Sequence, residues 1–476
     1  MGGAVRDACL GRAFADFDVA CEDSRGLAAS LAKRVRGSLV VLDQKTRVYR
    51  VVAAPSPAGE AEADIAELQG PGILADLGRR DFTIDSMALP LPLPATAGSR
   101  ALAEDPFDGL GDLKRGLVRQ TSPRVFDEDP LRLLRAFRIA SQLGFSIDAE
   151  TLRAVQARRR LILSCAGERV RSELLLLCRE DDCARRMAQM DGAGLLTTIF
   201  EDLEPARRCA EVYYGPGGVL RHTLDAVARM DFLLANLRAA FSELEGPISE
   251  HLDKRFGGLR KHGAILKIAV LLHDVSKPEC ARRVGGRLRF FEHDRRGADK
   301  AAEILRRLRF SREEIQIVST LALQHLRPGN LAANETVSDR AVYRFFRELG
   351  DLGVSQLLLA WADHASYLDC ARLASVLRWA AKDPHAFRPR RALSEETAKT
   401  LRHLQVIAFM LRGYFLKPEC ARPERLLDGR DIMRALGLPP GPPVGEALRR
   451  LEEAQAEGRV RGREDALRFV KRLRLG

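Results

Sequence analysis

Strand-forming signal in this chain is confined to about the first 120 residues. Residues 38–42 and 48–53 are runs rich in β-branched side chains, and 43–47 between them reads as a hairpin turn. Residues 55–62 form a loop of Pro, Ala, Gly and Glu. Residues 82–89 read as a strand-like or buried segment, closed by the prolines of 90–94. From about Pro130 the pattern changes. Residues 131–143, 149–161 and 168–178 carry apolar side chains at helical spacing. Breaks follow at Pro216-Gly217-Gly218, at the basic stretch 383–391 and at 439–443, with helical segments between. The expectation is an α+β protein, a mixed sheet at the front and helices behind, with no internal repeat.

At 476 residues the chain has room for about three domains. Its longest apolar stretch, 264–272, is interrupted by Lys267 and is too short to span a bilayer. The opening segment, with Arg6 and Asp7, does not read as a signal peptide. Nine cysteines run from Cys9 to Cys420 without a Cys-x-x-Cys pair, which excludes a zinc ribbon or thioredoxin-type motif. That usage suits reduced thiols in a cytoplasm, each expected as a small buried residue. Lys and Arg number 77 against 65 Asp and Glu, for a net charge of +12. Arginine dominates, and guanidinium grips phosphate in a bidentate fork, so a polyanionic partner is expected.

The chain opens Gly2-Gly3-Ala4-Val5-Arg6-Asp7 and continues to Asp16-Phe17-Asp18. Paired glycines let a backbone approach phosphate. On a strand, Asp16 and Asp18 share one face, where two carboxylates can hold Mg²⁺ ions. Such ions neutralise a triphosphate and activate a hydroxyl nucleophile. This string resembles the signature of class II tRNA nucleotidyltransferases and bacterial poly(A) polymerases, in the DNA polymerase β superfamily. The resemblance implies that Asp16 and Asp18 bind the catalytic Mg²⁺ and that Gly3 and Arg6 contact the nucleotide. Arg79-Arg80-Asp81-Phe82-Thr83-Ile84 is similar to the second family motif, which makes Arg80 a nucleotide contact. Asp64 lies where a third acidic strand residue is often found. The family usually has Asn-Ala or similar where this chain has Asp85-Ser86, and a carboxylate pointing inward there would repel phosphate. The family also carries a helix and an apolar strand before the glycine turn, whereas Met1 immediately precedes Gly2. A truncated or misassigned start, with one sheet position unfilled, is the expectation.

Asp129-Pro130-Leu131-Arg132 leads into Arg135 and Arg138, a carboxylate and three arginines spaced by three. On a helix they drift slowly around one face, as surface ion pairs or as a site that hydrogen-bonds a base edge. The string is similar to the family's nucleotide-selecting motif. By that resemblance Asp129 and Arg132 pair with the edge of CTP or ATP, and Arg135 and Arg138 also contact the nucleotide. The stretch from Glu168 to Leu174 resembles the neck helix that follows, in a structural role.

His222, His273-Asp274, His293, His325 and Asp363 form an ordered set. Imidazole plus carboxylate suits Mn, Fe, Co, Ni or Mg more than structural zinc. The set resembles the HD phosphohydrolase superfamily. The resemblance implies that His222, His273, Asp274 and Asp363 hold one divalent metal (Mg, Mn, Ni or Co), with His293 and His325 supporting a second metal or the phosphate. His251, His262, His364, His385 and His403 are expected to be structural or on the surface. The tail, through Leu426-Leu427-Asp428-Gly429-Arg430-Asp431 and Gly441-Pro442-Pro443, resembles the family's C-terminal tRNA-anchoring part.

The resemblance implies a head at 1–120, a helical neck at 121–205, an HD domain at 206–390 and a tRNA-binding tail at 391–476. The implied reaction is CCA addition to tRNA from CTP and ATP, with an HD phosphohydrolase activity on 2′-phosphate or 2′,3′-cyclic phosphate ends. The rival readings are a CC-only, A-only or poly(A) enzyme, an HD phosphohydrolase with an inactive head, and a non-catalytic RNA-binding protein.

Overall fold

A computed structural model describes residues 1–13, 16–53, 62–91, 103–256, 259–333, 337–386 and 393–473. The chain divides into two compact units, Met1–Leu177 with Gln189–Ile199, and Cys178–Ala188 with Phe200–Gly476. The fold is α+β.

In the first unit, helix α1 (Gly3–Cys9) leads to strand β1 (Asp16–Cys21). Helix α2 (Ser24–Arg34) follows, its first turn capped by the Asp23 carboxylate, which accepts from the Gly26 amide at 2.9 Å. Strands β2 (Ser38–Asp43), β3 (Val48–Val52) and β4 (Glu62–Glu67) complete a sheet of order β1-β4-β3-β2, with only β1 and β4 parallel. The expected hairpin is β2–β3. Its turn is set by Asp43, whose carboxylate accepts from the amides of Lys45 and Thr46.

Alternation along the strands sorts the sheet into two faces. Val19, Cys21, Tyr49, Val51 and Ile65 pack against Ala28, Leu31 and Ala32 of α2 and against Val35 just after it. The opposite parity places Asp18, Arg50, Glu62 and Asp64 together on the other face. Among the described residues β1 and β2 are the two edge strands, and every residue of β2 is exposed. The sequence of β4, Glu-Ala-Asp-Ile-Ala-Glu, has little intrinsic strand preference. It is held by ladders on both sides.

Residues 82–89 are buried but do not form a strand. Thr83–Asp85 is a 3₁₀ turn flanked by single bridges, Phe82 to Gln120 and Ala88 to Glu104. Phe82, Ile84 and Met87 are fully buried. Most of the expected loop at 55–62 and the prolines at 92 and 94 lie outside the described residues. Helix α3 (Arg132–Leu143) ends at Gly144 in the left-handed region, and α4 (Gly167–Cys178) follows.

The second unit is built on α5 (Gly218–Ala235), α6 (Leu259–Leu272), α7 (His293–Arg307), α8 (Arg312–Gln324), α9 (Leu352–Ala365), α10 (Glu395–Leu416) and α11 (Pro442–Ala456). Between α6 and α7 lies a hairpin that the sequence reading did not anticipate, β5 (Ala281–Val284) and β6 (Arg287–Phe290). Its two turn residues, Gly285 and Gly286, both have positive φ (57° and 76°), as a type I′ turn requires. The tail has its own core of Leu427, Ile432, Val444, Leu451 and Val470. No described helix is long and apolar enough to cross a membrane. All nine cysteines are free. Five are buried, but Cys370 is exposed, against the expectation of nine buried thiols.

Candidate functional site

Two constellations emerge, one in each unit. The first is a cleft of about 390 Å³ whose wall includes Asp76, Arg79, Arg80, Asp81, Asp129, Arg132, Arg135 and Arg169. That volume suits a small ligand, and five guanidiniums suit a polyphosphate. Asp18 and Asp64 are register neighbours on β1 and β4, and Arg50 lies opposite Asp64 on β3. Arg50 binds Asp64 through both carboxylate oxygens at 2.7 and 2.8 Å, and reaches Glu62 at 2.8 Å. Asp16 belongs to β1 by its backbone, and its side chain lies outside the described residues. A row of carboxylates on one sheet face is hard-oxygen chemistry that fits Mg²⁺.

The glycine turn is demanding at Gly2 rather than Gly3. Gly2 has φ +68°, and a Cβ there would collide with the Arg80 guanidinium and lie 3.1 Å from the Asp18 carboxylate. Gly3 is the first residue of α1. Arg80, Gly2 and Asp18 therefore meet at one point.

Arg6 faces away from phosphate chemistry in this state. Its guanidinium grips Asp7 at 2.9 and 3.0 Å and Asp85 at 2.7 Å. Asp85 is thus the partner of Arg6 and not a bare charge. Burial pushes its carboxyl up, opposed by Arg6. Arg132 is anchored by two backbone carbonyls, Arg79 at 2.7 Å and Val125 at 3.1 Å. Arg135 pairs with buried Asp81 at 2.7 Å. Burial alone would raise the Asp81 carboxyl, but Arg135 outweighs it and holds it low. Arg138 donates to Glu173 and Gln142, each at 2.5 Å. Gly3, Arg6 and Arg138 do not line the cleft, whereas Arg80, Asp129, Arg132 and Arg135 do. Arg169, expected as structural, also lines it and binds Asp129 at 2.8 Å.

The second constellation gathers all six His and Asp residues of the ordered set. His222 comes from α5, His293 from the start of α7 and Asp363 from α9. His273 and Asp274 follow α6, and His325 follows α8. They form two triads, His222–His273–Asp363 and Asp274–His293–His325. Asp274 joins them. Its Oδ2 lies 3.1 Å from His273 Nε2 and 3.7 Å from His222 Nε2, and its Oδ1 lies 3.5 Å from both His293 and His325.

The hydrogen bonding around the centre fixes the tautomers. Nδ1 of His273, His293 and His325 each faces a backbone carbonyl at 2.6–2.7 Å, so each Nδ1 carries the proton. Their Nε2 lone pairs then point inward. Burial lowers His293, and lowers His325 to about 4, so both rings are neutral at pH 7. Two such lone pairs face each other at 3.2 Å, an arrangement that calls for a cation between them. His222 Nε2, His273 Nε2, Asp274 Oδ1 and Asp363 Oδ1 are all buried without a hydrogen bond. The donor set fits a pair of divalent metal ions. Lys277 donates to Asp274 Oδ2 at 2.5 Å and to Tyr214 at 2.9 Å, and Tyr214 stacks on His222.

A small mixed sheet with carboxylates on one face, beside an arginine-lined cleft, defines a nucleotidyltransferase head. Residues 1–119 match the family described as the poly A polymerase head domain, and 144–207 match the probable RNA and SrmB-binding site of polymerase A. The A-adding tRNA nucleotidyltransferase of Deinococcus radiodurans is 32% identical, over 99% of this chain and 94% of that protein. The CC-adding tRNA nucleotidyltransferase of Geobacter sulfurreducens is also 32% identical, over 100% of this chain and 91% of that one. The Thermotoga maritima CCA-adding enzyme complexed with tRNA shares the fold at a TM-score of 0.62, with 20% identity over 98% of this chain and 89% of that one. The complex of a CCA-adding enzyme with CTP does so at 0.64, with 20% identity over 98% and 89%. This chain belongs to the class II tRNA nucleotidyltransferase and bacterial poly(A) polymerase family, and is an enzyme.

Proposed function

We propose that the enzyme completes the 3′ end of tRNA by adding CMP and AMP from CTP and ATP. The observation that carries this is the cleft lined by Arg80, Asp129, Arg132 and Arg135, of which Arg80 meets Asp18 at Gly2. The tRNA 3′ oxygen bonds to the α-phosphorus, the bond to pyrophosphate breaks, and the hydroxyl proton goes to solvent. Asp16 and Asp18 hold Mg²⁺, which supplies charge neutralisation and nucleophile activation when bound. Asp129 and Arg132 read the base edge, Arg132 being fixed for this by its two carbonyl anchors. Arg80 and Arg135 meet the phosphates. Gly2 brings Arg80 to the carboxylates, while Arg6 and Arg138 brace the wall from behind. The division into head 1–120, neck 121–205, HD domain 206–390 and tail 391–476 accompanies this reading, with the tail anchoring tRNA. A cytoplasmic location suits that substrate.

A second reading changes only the product. The relatives that span nearly all of this chain carry the names A-adding and CC-adding, which favours addition of part of the CCA sequence. Labelled tRNA ending before CCA, incubated with Mg²⁺ and CTP, ATP or both, decides between them at single-nucleotide resolution. Growth by C, CC or A alone selects the second reading. Absence of any growth, with an Asp18→Ala variant alongside as the blank, overturns both.

The His/Asp centre adds a phosphohydrolase activity on phosphoester ends. The carrying observation is the set of four buried, unbonded ligand atoms around Asp274. Divalent metal ions bound there supply a water nucleophile at neutral pH. The protein's own share is orientation. Three backbone carbonyls aim the imidazoles, and Lys277 holds Asp274 in place between the two triads. Metal-dependent release of phosphate from 2′-phosphate or opening of 2′,3′-cyclic phosphate, lost in Asp274→Asn, is the expected result.

A further inference from the structure

The hairpin β5–β6 is short, basic and adjacent to the His/Asp centre. Phe290 ends it, its carbonyl accepts from His293 Nδ1 at 2.6 Å, and its ring lies under the Lys277 ammonium. At the other side the Tyr213 hydroxyl is clasped to the Leu288 backbone at 3.1 Å, one residue from Tyr214, which stacks on His222. The hairpin is therefore tied to the centre at two points.

Its sequence, Ala-Arg-Arg-Val-Gly-Gly-Arg-Leu-Arg-Phe, holds four arginines and no carboxylate. The register pairs Arg282 directly with Arg289, and Val284 with Arg287. Alternation puts Arg282, Arg287 and Arg289 on one face, all exposed. Like charges directly opposite each other cost a hairpin stability. Among the described residues none of the three guanidiniums forms an ion pair with a carboxylate. Phe291 next to them is 58% exposed and Tyr213 is 52% exposed. A cationic strip with bare aromatic rings is the composition that holds a single-stranded nucleic acid, through phosphate contacts and base stacking.

The geometry points to this hairpin as the docking strip for an RNA strand whose 3′ end enters the His/Asp centre. The substrate of that centre is then a phosphoester at an RNA terminus, not a free nucleotide. The inference rests on the phosphohydrolase reading. In the reaction concerned a water oxygen bonds to phosphorus and the bond from phosphorus to one ribose oxygen breaks. That oxygen leaves with a proton, so one water is consumed for each cyclic phosphate opened.

The test compares the full chain with an Arg282→Gln, Arg287→Gln, Arg289→Gln variant. Two substrates are used with Mn²⁺ or Ni²⁺, a short single-stranded RNA ending in 2′,3′-cyclic phosphate and the matching cyclic mononucleotide. The variant relieves a like-charge pair on an exposed hairpin, and a thermal melt checks that it folds. The expected result is a KM for the RNA about tenfold higher in the variant, with mononucleotide turnover unchanged. Fluorescence anisotropy with the same RNA is expected to lose about 2 from the slope of log affinity against log salt, as three phosphate contacts require. Equal KM values for the two substrates, unmoved in the variant, overturn the hairpin's role and leave the phosphohydrolase reading standing. A wild type that opens neither substrate with either metal overturns both.

Discussion

Without metal, the His/Asp centre is a costly arrangement, and that cost sets a measurable prediction. Four ligand atoms, on His222, His273, Asp274 and Asp363, are buried without hydrogen bonds. At about 1–3 kcal/mol each, their burial costs the apo fold about 4–12 kcal/mol, which bound cations offset. Each ion held at a hundred times its dissociation constant stabilises by about 2.7 kcal/mol, so two ions give about 5 kcal/mol. At roughly 2 °C per kcal/mol, chelated protein resupplied with Mn²⁺ should melt about 10 °C higher. His325→Ala breaks one triad and leaves His222, His273 and Asp363 intact. It should bind one ion where the wild type binds two, with about half the thermal gain. Asp274→Ala touches both triads and should lose both ions. Metal analysis after gel filtration, with a thermal melt on the same samples, reads both quantities. A wild type that takes one ion, or a His325→Ala variant that still takes two, refutes the shared-carboxylate argument.

Four further outcomes follow from the side-chain network. Burial raises Asp85 above an ordinary carboxyl, so the folded state binds its proton more tightly than the unfolded chain and stability rises as pH falls. Asp85→Asn should flatten that dependence by at most about 1.4 kcal/mol per pH unit between the folded value of about 6 and the unfolded value near 3.8 in urea unfolding, and an unchanged slope there counts against it. Burial would raise buried Glu453, but Arg344 and Arg340 hold it at about 2, so its stabilisation is present above pH 4.5 and lost on acidification toward 2. Glu453→Gln should therefore lower the melting temperature at pH 7 and make little difference at pH 2. Arg138→Gln leaves buried Glu173 facing Arg135 at 3.7 Å without its direct hydrogen bond and should cost about 1–3 kcal/mol of stability, while the KM for CTP and ATP moves less than twofold. Arg132→Ala should do the reverse, raising those KM values at least tenfold.

The hairpin of residues 38–53 and the helix at 131–143 were legible because each is patterned locally, by β-branched runs or by apolar spacing. Strand β4 was not, because Glu-Ala-Asp-Ile-Ala-Glu owes its conformation to neighbours on both sides. The hairpin β5–β6 did leave a signal, the Gly285-Gly286 pair between two short runs, hidden by the helical pattern around it. The carboxylate pair and the arginine series were visible as motifs. Which arginines face the cleft was not, since spacing by three fixes a helix face but not what packs beneath it. Arg138 turns to Glu173, and Arg169 reaches Asp129 from another helix. The His/Asp set spans residues 222–363, and only the packing of five helices reveals that Asp274 is shared between two triads.

The edge strand β2 carries a liability of its own. Leu39, Val40, Val41 and Leu42 are each 41–49% exposed, in a row whose outer side pairs with no strand among the described residues. No lysine or proline interrupts the row, and such residues are what usually keep one sheet edge from adding to another. Concentrated stocks of this enzyme are thus expected to grow by edge-to-edge strand addition, with turbidity that rises as salt masks the net charge of +12. A lysine in place of Val41, whose register partner Tyr49 lies on the helix-packed side, should suppress that growth without touching the carboxylate face of the sheet.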